Sequence, residues 1–475
     1  MVKSKHGGNR CERQEGTGRE EDAEERVTRI TAETPYGLCR ERLTAFGGLL
    51  ALVKCLDLLG FEKAFEEHYV QPERTPKLGG HRMVLGILIL LFIGFQRLWH
   101  FTYVRADAMV CGVLRVGCLP AVSTFWRYLQ SLTTEQSDSL LRLGAALRKK
   151  VWELCEYRPK RVTVNIDTTV STVYGDIEGA RIGHNKKHRG KKGLRPVLCF
   201  LAETREYLCG KQRIGKSMSG DEVAGEIRQL RSMLPEYVKQ IRIHADGEFI
   251  AWNSVEACID EHFLFTFGNK RCAPTFPDEG WYRYGTYEYN ECMYQPKRWK
   301  HLCRFVVLRI RKEDIGDRQL KLLESENYVY RVFITNERMR PHNVIDQYDQ
   351  RADAENLISE AQGEGLLAIP SKRFQSHHAF FQIVMLSYNL WRWMKLLAGH
   401  AQRQKSAKEE APPQIIMPKH TIRIARLKML FVAAKIRFHS NRHDILYSVH
   451  ENRAAGIIDF LTYLDDRRKT EGLVA

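Results

Sequence analysis

The chain has 475 residues, of which 44% are hydrophobic and 10% aromatic, so it can build large cores and is not a disordered protein. Lys and Arg total 74 against 57 Asp and Glu, which gives a formal net charge of +17. That surplus favours a polyanionic partner such as nucleic acid, although an ordinary basic enzyme also has this composition. The 12 cysteines include no Cys-x-x-Cys pair, and the N-terminus has no apolar secretion signal, so we expect reduced thiols in the cytoplasm.

The first 158 residues divide into a tail and a helical region. Residues 1–35 are rich in charge and poor in apolar side chains, which predicts a disordered tail. Over 36–158 apolar residues recur at three- and four-residue spacings, which predicts an all-α region. The apolar run Met83–Phe95 is too short to cross a membrane and predicts a buried central helix.

One segment of this helical region has the layout of a DNA-reading helix-turn-helix. Gly112–Tyr128 consists of a glycine turn and then a helix with polar and basic residues, among them Ser123 and Arg127, near its start. An ordinary helix pair that packs Phe125 and Trp126 is the alternative. We predict that 36–158 is a helical N-terminal DNA-binding domain.

From residue 159 the pattern changes to alternating strands and helices. The predicted order is β-β-β-α-β-α-β and then a helix, from the segments Arg161–Val170, Leu194–Leu201, Tyr207–Ile214, a helix from Ser219, Gln240–Ala245, Trp252–Glu261 and Leu264–Phe267. This order is typical of a ribonuclease-H-like fold, in which the first and fourth strands are neighbours.

The predicted fold class is therefore α/β, with a ribonuclease-H-like catalytic domain over 159–269 and 341–398. Residues 270–340 contain strand patterns without a helix pattern and predict a mostly β insertion into that domain. Helix patterns resume near Asn343 and run to Gly363. Residues 399–475 are predicted to form a helical, basic C-terminal region.

Three acids lie where this fold would bring them together. Asp167 ends the first strand, Asp246 follows the fourth, and Glu355 lies on the helix after the insertion. Carboxylates on adjacent elements suit Mg²⁺ or Mn²⁺ rather than zinc or copper. Two such ions activate a nucleophile and stabilise the leaving oxygen of a phosphodiester. Any one of these acids alone is more often a surface or capping residue, so the prediction depends on their joint placement.

Helix geometry groups further residues with Glu355. Tyr348, Arg351, Glu355 and Gln362 fall on one helix face that spans roughly 60°. Such a face suits metal binding by Glu355 and phosphate binding by Arg351 and Tyr348. An exposed, salt-bridged helix face is the alternative.

These motifs together resemble a known family. Ile166-Asp167-Thr-Thr, the block 179–193, Ala245-Asp246, Thr335-Asn336 and Tyr348-x₂-Arg351-x₃-Glu355 resemble the motifs of DDE insertion-sequence transposases of the cut-and-paste type, which carry a β insertion before the catalytic glutamate. The resemblance covers roughly 36–450. Two positions depart from it: Gln362 replaces the lysine of a Tyr-Arg-Glu-Lys signature, and Gly247-Glu248 replaces Ser-Gly.

The resemblance implies a catalytic triad of Asp167, Asp246 and Glu355 that uses two Mg²⁺ or Mn²⁺ ions. It implies an enzyme that binds the terminal inverted repeats of its element, cleaves them by hydrolysis and joins the 3′-hydroxyl ends to target DNA. It further implies a homodimer on DNA, so we expect a protein that acts at the nucleoid in the cytoplasm, and the short apolar runs predict no membrane association. A nuclease without strand transfer and a catalytically inactive DNA-binding derivative are the alternatives; Gln362 favours the inactive derivative, whereas the intact acidic triad argues against it.

Acid-free basic runs are the predicted phosphate contacts. The residues assigned to DNA in two of these runs are Lys186, Lys187, Arg189, Lys191, Lys192 and Arg298. A third run extends from Lys419 to Arg442. Trp299 follows Arg298 and is predicted to stack on an unpaired base, with core packing as an equal alternative.

Overall fold

The structure is a computed structural model that describes residues 30–74, 76–183, 185, 188–269, 274–276, 279–314, 323–324, 327–407, 420–439 and 442–473. Lys186, Lys187 and nearly all of the predicted tail lie outside the described residues. The chain divides into two compact units, Met1–Glu41 and Arg42–Ala475. All the elements below belong to the second unit.

The region before residue 159 is mainly helical, as its apolar spacing predicts. Its elements are β1 (Arg42–Thr44), α1 (Leu49–Leu58), α2 (Phe61–His68), α3 (Gly80–Phe92), α4 (Phe101–Val104), α5 (Ala108–Val113), α6 (Val122–Ser131) and α7 (Thr134–Leu154). Helix α3 is buried at nearly every position, so the prediction of a central helix is confirmed. The prediction of an all-α region is wrong at β1, which pairs with a strand near the C-terminus.

The α/β region follows the predicted alternation, with two short strands, Ser171–Thr172 and Arg181–Ile182, that were not predicted. Its elements are β2 (Arg161–Thr168), β3 (Ser171–Thr172), β4 (Arg181–Ile182), β5 (Lys192–Leu194), β6 (Val197–Leu201), β7 (Tyr207–Lys211), α8 (Gly220–Gln229), β8 (Gln240–Ala245), α9 (Trp252–Asp260) and β9 (Leu264–Asn269). The single strand predicted over Leu194–Leu201 is two strands that belong to different sheets, and the ladder is interrupted at Arg195-Pro196, where proline cannot donate.

Strand β2 pairs in parallel with β8 and antiparallel with β6. The parallel register runs from Arg161 opposite Gln240 to Ile166 opposite Ala245. The strands predicted as the first and fourth of the α/β region are β2 and β8, and they are neighbours, as predicted. Interior positions of both strands are buried, which is typical of a strand covered on both faces.

The segment predicted as a mostly β insertion into the α/β domain continues the central sheet. Its strands are β10 (Tyr282–Tyr284), β11 (Tyr287–Tyr294), β12 (Cys303–Arg311), β13 (Leu323–Glu324) and β14 (Tyr328–Thr335). The sheet order is β10-β11-β12-β14-β9-β8-β2-β6-β7, with β13 paired to β14. The β content is as predicted, but β14 pairs antiparallel with β9 and so extends the central sheet.

The last part of the chain departs from its helical prediction. Its elements are α10 (Pro341–Asp349), α11 (Ala352–Ala361), α12 (Phe374–Ala407), α13 (Ile422–Met429), β15 (Ala434–His439), β16 (Arg442–Tyr447) and α14 (Ala454–Thr470). The prediction of an all-helical region over 399–475 is wrong, because β1, β15 and β16 form a three-stranded sheet. Ala434-Lys-Ile-Arg-Phe-His alternates apolar and basic residues with the period of a strand.

The long helix α12 joins the helical and sheet regions. The indole ring of Trp391 stacks on Phe92 of α3 at 4.1 Å between centroids. The indole nitrogen of Trp393 donates to Glu206 at 2.6 Å, and Glu206 also pairs with Arg148 of α7. One buried core thus runs through the N-terminal helices, α12 and the sheet.

In the part of the chain that the structure describes, no helix is long and apolar enough to cross a membrane.

Candidate active site

The two predicted catalytic aspartates lie at the same edge of the sheet. Asp167 is near the end of β2, and Asp246 directly follows β8. Ile166 is paired in parallel with Ala245, so the next residue of each strand emerges at the same level. Both aspartates line one cleft of about 760 Å³. The two strands predicted to be neighbours pair in parallel and so bring both aspartates to one site.

The third acid reaches this cleft from a helix. Glu355 lies in the first turn of α11, is exposed and lines the same cleft. The single helix predicted from 343 to 363 is two helices, because the chain turns at Gln350-Arg351 between α10 and α11. This turn places Arg351 at the start of α11, one turn before Glu355.

Arg351 is bonded to one of the two aspartates of the cleft. Its Nη2 donates to Oδ2 of Asp167 at 2.9 Å, and both side chains are mostly buried. Burial raises the pKa of Asp167 to about 6, and the carboxylates of Asp246 and Glu248 add to the rise, while Arg351 opposes it. The Nε of Arg351 is buried and has no acceptor among the described residues. Arg351 thus lines the cleft and carries one buried donor without a partner in the part of the chain that is described.

Gln362, at the position of the expected lysine, also faces the cleft. Its side-chain amide donates to the hydroxyl of Thr169 at 2.8 Å. The segment Gln362–Leu366 forms a π-helical turn with Gly365 at a φ of 110°, in the region that favours glycine. The amide therefore connects the end of the helix that carries Glu355 to the loop after Asp167.

Tyr348 lies behind the cleft rather than in it. Its ring is buried against Phe333, and its hydroxyl donates to the backbone carbonyl of Ala245 at 3.1 Å. The bond fixes α10 to the strand end that precedes Asp246.

The predicted DNA-binding side chains are distributed over two surfaces. Arg189, Lys191 and Lys192 are exposed in the segment that includes β5, and their neighbour His188 lines the cleft. Lys186 and Lys187 lie outside the described residues. Arg298 is exposed with a φ of 74°, whereas Trp299 is half-buried against Trp252 of α9 at 5.6 Å between centroids. The structure places neither of these two among the residues that line the cleft.

Two residues of the site were not identified as such from the sequence. Glu248 lines the cleft beside Asp246, and Arg195, which belongs to a basic run, is buried and paired with Glu248. Glu248 could have been identified from the sequence, because Gly247-Glu248 departs from the Ser-Gly that the family motif has there. Arg195 had no signal, because nothing in a local sequence distinguishes a buried arginine from the exposed ones around it.

The donors of the cleft suit a divalent metal ion by their chemistry. Asp167, Asp246, Glu248 and Glu355 supply hard carboxylate oxygens, the ligands that Mg²⁺ and Mn²⁺ prefer. The raised pKa of Asp167 reflects unfavourable negative charge that a cation would relieve. Among the described residues, no three His, Cys, Asp or Glu side chains are close enough together to hold an ion. The four carboxylates thus suit the metal by their donor chemistry, but their side chains do not surround a single point in this structure.

Known proteins provide an independent comparison. Residues 40–465 match the family described as "Transposase DDE domain group 1". No curated protein matches the sequence. A solved structure, "Cryo-EM structure of piggyBac transposase synaptic complex with hairpin DNA (SNHP)", is similar with a TM-score of 0.42 and 9% identity over 82% of this chain and 81% of that chain. A TM-score of that size supports no inference about chemistry. The family match spans most of the sequence, and the chain therefore belongs to the DDE transposase family.

Proposed function

We propose that this protein is a DNA transposase that binds the terminal inverted repeats of its own insertion sequence. It cleaves phosphodiester bonds there by hydrolysis and joins the freed 3′-hydroxyl ends to target DNA. Asp167, Asp246 and Glu355 are its catalytic residues and the ligands of two Mg²⁺ or Mn²⁺ ions. Membership in the DDE transposase family supports the transposase function in this proposal.

The observation that carries the proposal is the convergence of the three acids on one cleft. Two come from adjacent parallel strand ends and one from a helix that is distant in sequence. Bound metal ions would supply Lewis acidity and lower the pKa of an attacking water or hydroxyl. A cleft of about 760 Å³ that is open to solvent has room for a nucleic-acid strand.

Other side chains of the chain take supporting roles. Arg351 lines the cleft beside Asp167, and its permanently charged guanidinium suits a contact with a phosphate oxygen there. Tyr348, predicted as a phosphate contact, serves better as a positioning residue, because its hydroxyl is already bonded to Ala245. Gln362 bonds Thr169 and contributes no charge where the family signature has lysine.

DNA is the proposed partner, with one protomer of a homodimer at each element end. Exposed Arg189, Lys191 and Lys192 lie in the segment next to the cleft-lining His188, so a duplex that enters the cleft would pass them. Lys186 and Lys187 belong to the same run in sequence. Arg298 and Trp299 are assigned to a separate surface, where Trp299 is engaged with Trp252.

A cleavage and joining assay tests this function. The substrate is a labelled duplex with the inverted repeats that flank the gene, incubated with the full chain, Mg²⁺ and a circular target. We expect nicks at the repeat ends and joined products, and neither with Asp167→Asn.

Cleavage without joined products would favour a ribonuclease-H-like nuclease. Binding of the repeats without cleavage in Mg²⁺ or Mn²⁺ would favour the inactive derivative, in which Gln362 does not perform the function of the lysine. Sequence-independent binding without cleavage would contradict the transposase function as a whole.

A further inference from the structure

The loops that follow the two catalytic aspartates are joined by a network of three side chains. The hydroxyl of Thr168, the residue after Asp167, donates to Oε1 of Glu248 at 2.7 Å. The same hydroxyl accepts from Nε of Arg195 at 3.1 Å, and Nη2 of Arg195 pairs with Oε2 of Glu248. Each member of the Arg195–Glu248–Thr168 network thus contacts the other two.

The backbone of the same residues holds the aspartates. The amide of Thr168 donates to Oδ1 of Asp167 at 2.7 Å. The amide of Glu248 donates to Oδ1 of Asp246 at 2.9 Å. The network therefore connects two residues whose backbone amides each orient one catalytic carboxylate. A shift of either loop would move one aspartate relative to the other.

Arg195 is placed to hold this arrangement rather than to bind DNA. Its side chain is 8% exposed, and its third guanidinium nitrogen, Nη1, donates to the hydroxyl of Ser217 at 3.3 Å. All three guanidinium nitrogens are thus bonded within the protein. Its backbone is tied as well, because its amide donates to the carbonyl of Arg213 at 3.0 Å. A buried arginine with these bonds gives the two loops a rigid common support.

We propose that the Arg195–Glu248–Thr168 network is a positioning device that sets the separation of Asp167 and Asp246 and so tunes metal affinity. Arg195, Glu248 and Thr168 act through the two aspartates. Groups that orient metal ligands from behind typically affect metal affinity about 10- to 100-fold. This inference rests on the proposed function, since it assumes that the two aspartates bind metal.

The test measures Mn²⁺ affinity of the full chain without DNA, by calorimetry or by the spectroscopic signal of free Mn²⁺. Thr168→Val keeps the size of the side chain and removes its hydroxyl, so we expect the Kd to rise about 10-fold or more. Thr168→Ser keeps the hydroxyl and should stay within about 3-fold of wild type on the same scale. Because both positions act through one network, Thr168→Val combined with Glu248→Gln should bind no more weakly than the weaker single variant.

A matched control separates positioning from loss of stability. Arg242 of β8, the strand that ends before Asp246, forms a buried ion pair with Glu337, which follows β14; their side chains are 6% and 5% exposed. Glu337→Gln should lower the melting temperature and leave the Mn²⁺ Kd unchanged. The proposal is overturned if Thr168→Val binds Mn²⁺ like wild type, or if Glu337→Gln weakens binding as much as Thr168→Val does.

Two other outcomes would lead to different conclusions about the site. Loss of Mn²⁺ binding in Glu248→Gln but not in Thr168→Val would make Glu248 a direct ligand and overturn the positioning role. If wild type and Asp167→Asn bind Mn²⁺ equally weakly, the proposed metal site is wrong, and this inference fails with it.

Discussion

The two halves of the candidate active site are held in different ways. Asp167 and Asp246 stand on adjacent parallel strands, whose register is set by backbone hydrogen bonds across six residue pairs. Glu355 stands on α11, a ten-residue helix between a backbone turn at Arg351 and the π-helical turn at Gln362–Leu366. The strand half is therefore supported by the main chain, and the helix half depends on what packs around it.

Buried ion pairs give the helix half its support. Glu360 pairs with Arg392 of α12 and accepts the backbone amide of Ile422 at 2.6 Å. Glu364 pairs with Arg426 of α13. The C-terminal elements thus hold the helix that carries Glu355. Removal of one partner from a buried ion pair destabilises the fold, because it leaves the other charge unpaired. One site is therefore assembled from a rigid strand edge and from a helix placed by distant side chains.

The largest effect is expected where the two halves must act together. Asp167→Asn, Asp246→Asn and Glu355→Gln should each slow cleavage at least about a thousandfold, which is about 4 kcal/mol of transition-state stabilisation. Binding to end DNA should be retained. Single-turnover cleavage and a binding titration measure the two effects. Asp353→Asn is the matched control, because Asp353 lies on α11 but pairs with Arg205. A strand-half variant that still cuts well would remove that residue from the triad.

Loss of an ion pair should affect the helix half selectively. Glu364→Gln leaves Arg426 buried without its partner, and removal of one partner from a buried pair destabilises by about 3–5 kcal/mol. Urea unfolding measures that loss. Hydrogen exchange should show faster opening of Ala352–Ala361, while β2 and β8 keep their protection. Replacing Glu364 and Arg426 together by leucine should restore much of the stability. Equal loss of protection in β2 would contradict the separate support of the two halves.

Arg351 connects the two halves through its bond to Asp167, and its removal should slow DNA cleavage more than it weakens DNA binding. Arg351→Ala should slow cleavage about 100-fold or more, because a contact near the scissile phosphate contributes most in the transition state. DNA affinity should fall only modestly. Arg351→Lys keeps the charge but loses the fork geometry, so it should recover little. Cleavage at saturating protein distinguishes the two effects. Normal cleavage with a large loss of affinity would contradict the site assigned to Arg351.

The strand half should also show a characteristic pH dependence without metal. Burial raises the pKa of Asp167 from its ordinary value of 3.8 to about 6. The folded chain thus keeps a proton that the unfolded chain has lost, so stability falls as pH rises through that window. Asp167→Asn lacks this titration. Its stability relative to wild type should therefore rise between about pH 4 and about pH 7.5, by about 1.4 kcal/mol for each pKa unit. Urea unfolding in a chelator measures it, and a constant difference would contradict the raised pKa.

The smallest effect on chemistry is expected outside both halves. Changing Lys186, Lys187, Lys191 and Lys192 together to glutamine should weaken binding to all DNA sequences. The slope of log affinity against log salt should decrease by about 0.9 for each phosphate that the protein no longer neutralises. Cleavage at saturating protein should be unaffected. Titrations at several salt concentrations measure the slope, and an unchanged slope would show that this run does not bind phosphates.

Local pattern was enough to predict the strand half. The β-branched run before Asp167 and the short strand before Asp246 are typical strand sequences, and the order of elements makes them parallel neighbours. The helix predicted from Ser219 likewise begins there, because Ser219 and Glu222 form a reciprocal cap.

The basic runs show where local pattern fails. The run from Lys297 to Lys312 contains no acid, but β12 pairs with β11, and Arg304 and Arg309 meet Glu291 and Glu288 there. The neutralising acids come from another strand, so a scan along the chain does not detect them. Trp299 similarly finds Trp252, far from it in sequence.

The sequence by itself was enough to predict the three acids, the order of the main strands along the chain and the helical spacing. These features depend on neighbours along the chain and on the two periodicities of secondary structure. Tertiary structure alone decided the break at Arg351, the pairing of β14 with β9, the joining of β1 to the C-terminal hairpin and the bonds of Arg195. Each of these depends on a contact between residues that are distant in sequence. Such contacts are selected by burial and charge balance in the folded chain, and local pattern carries no record of them.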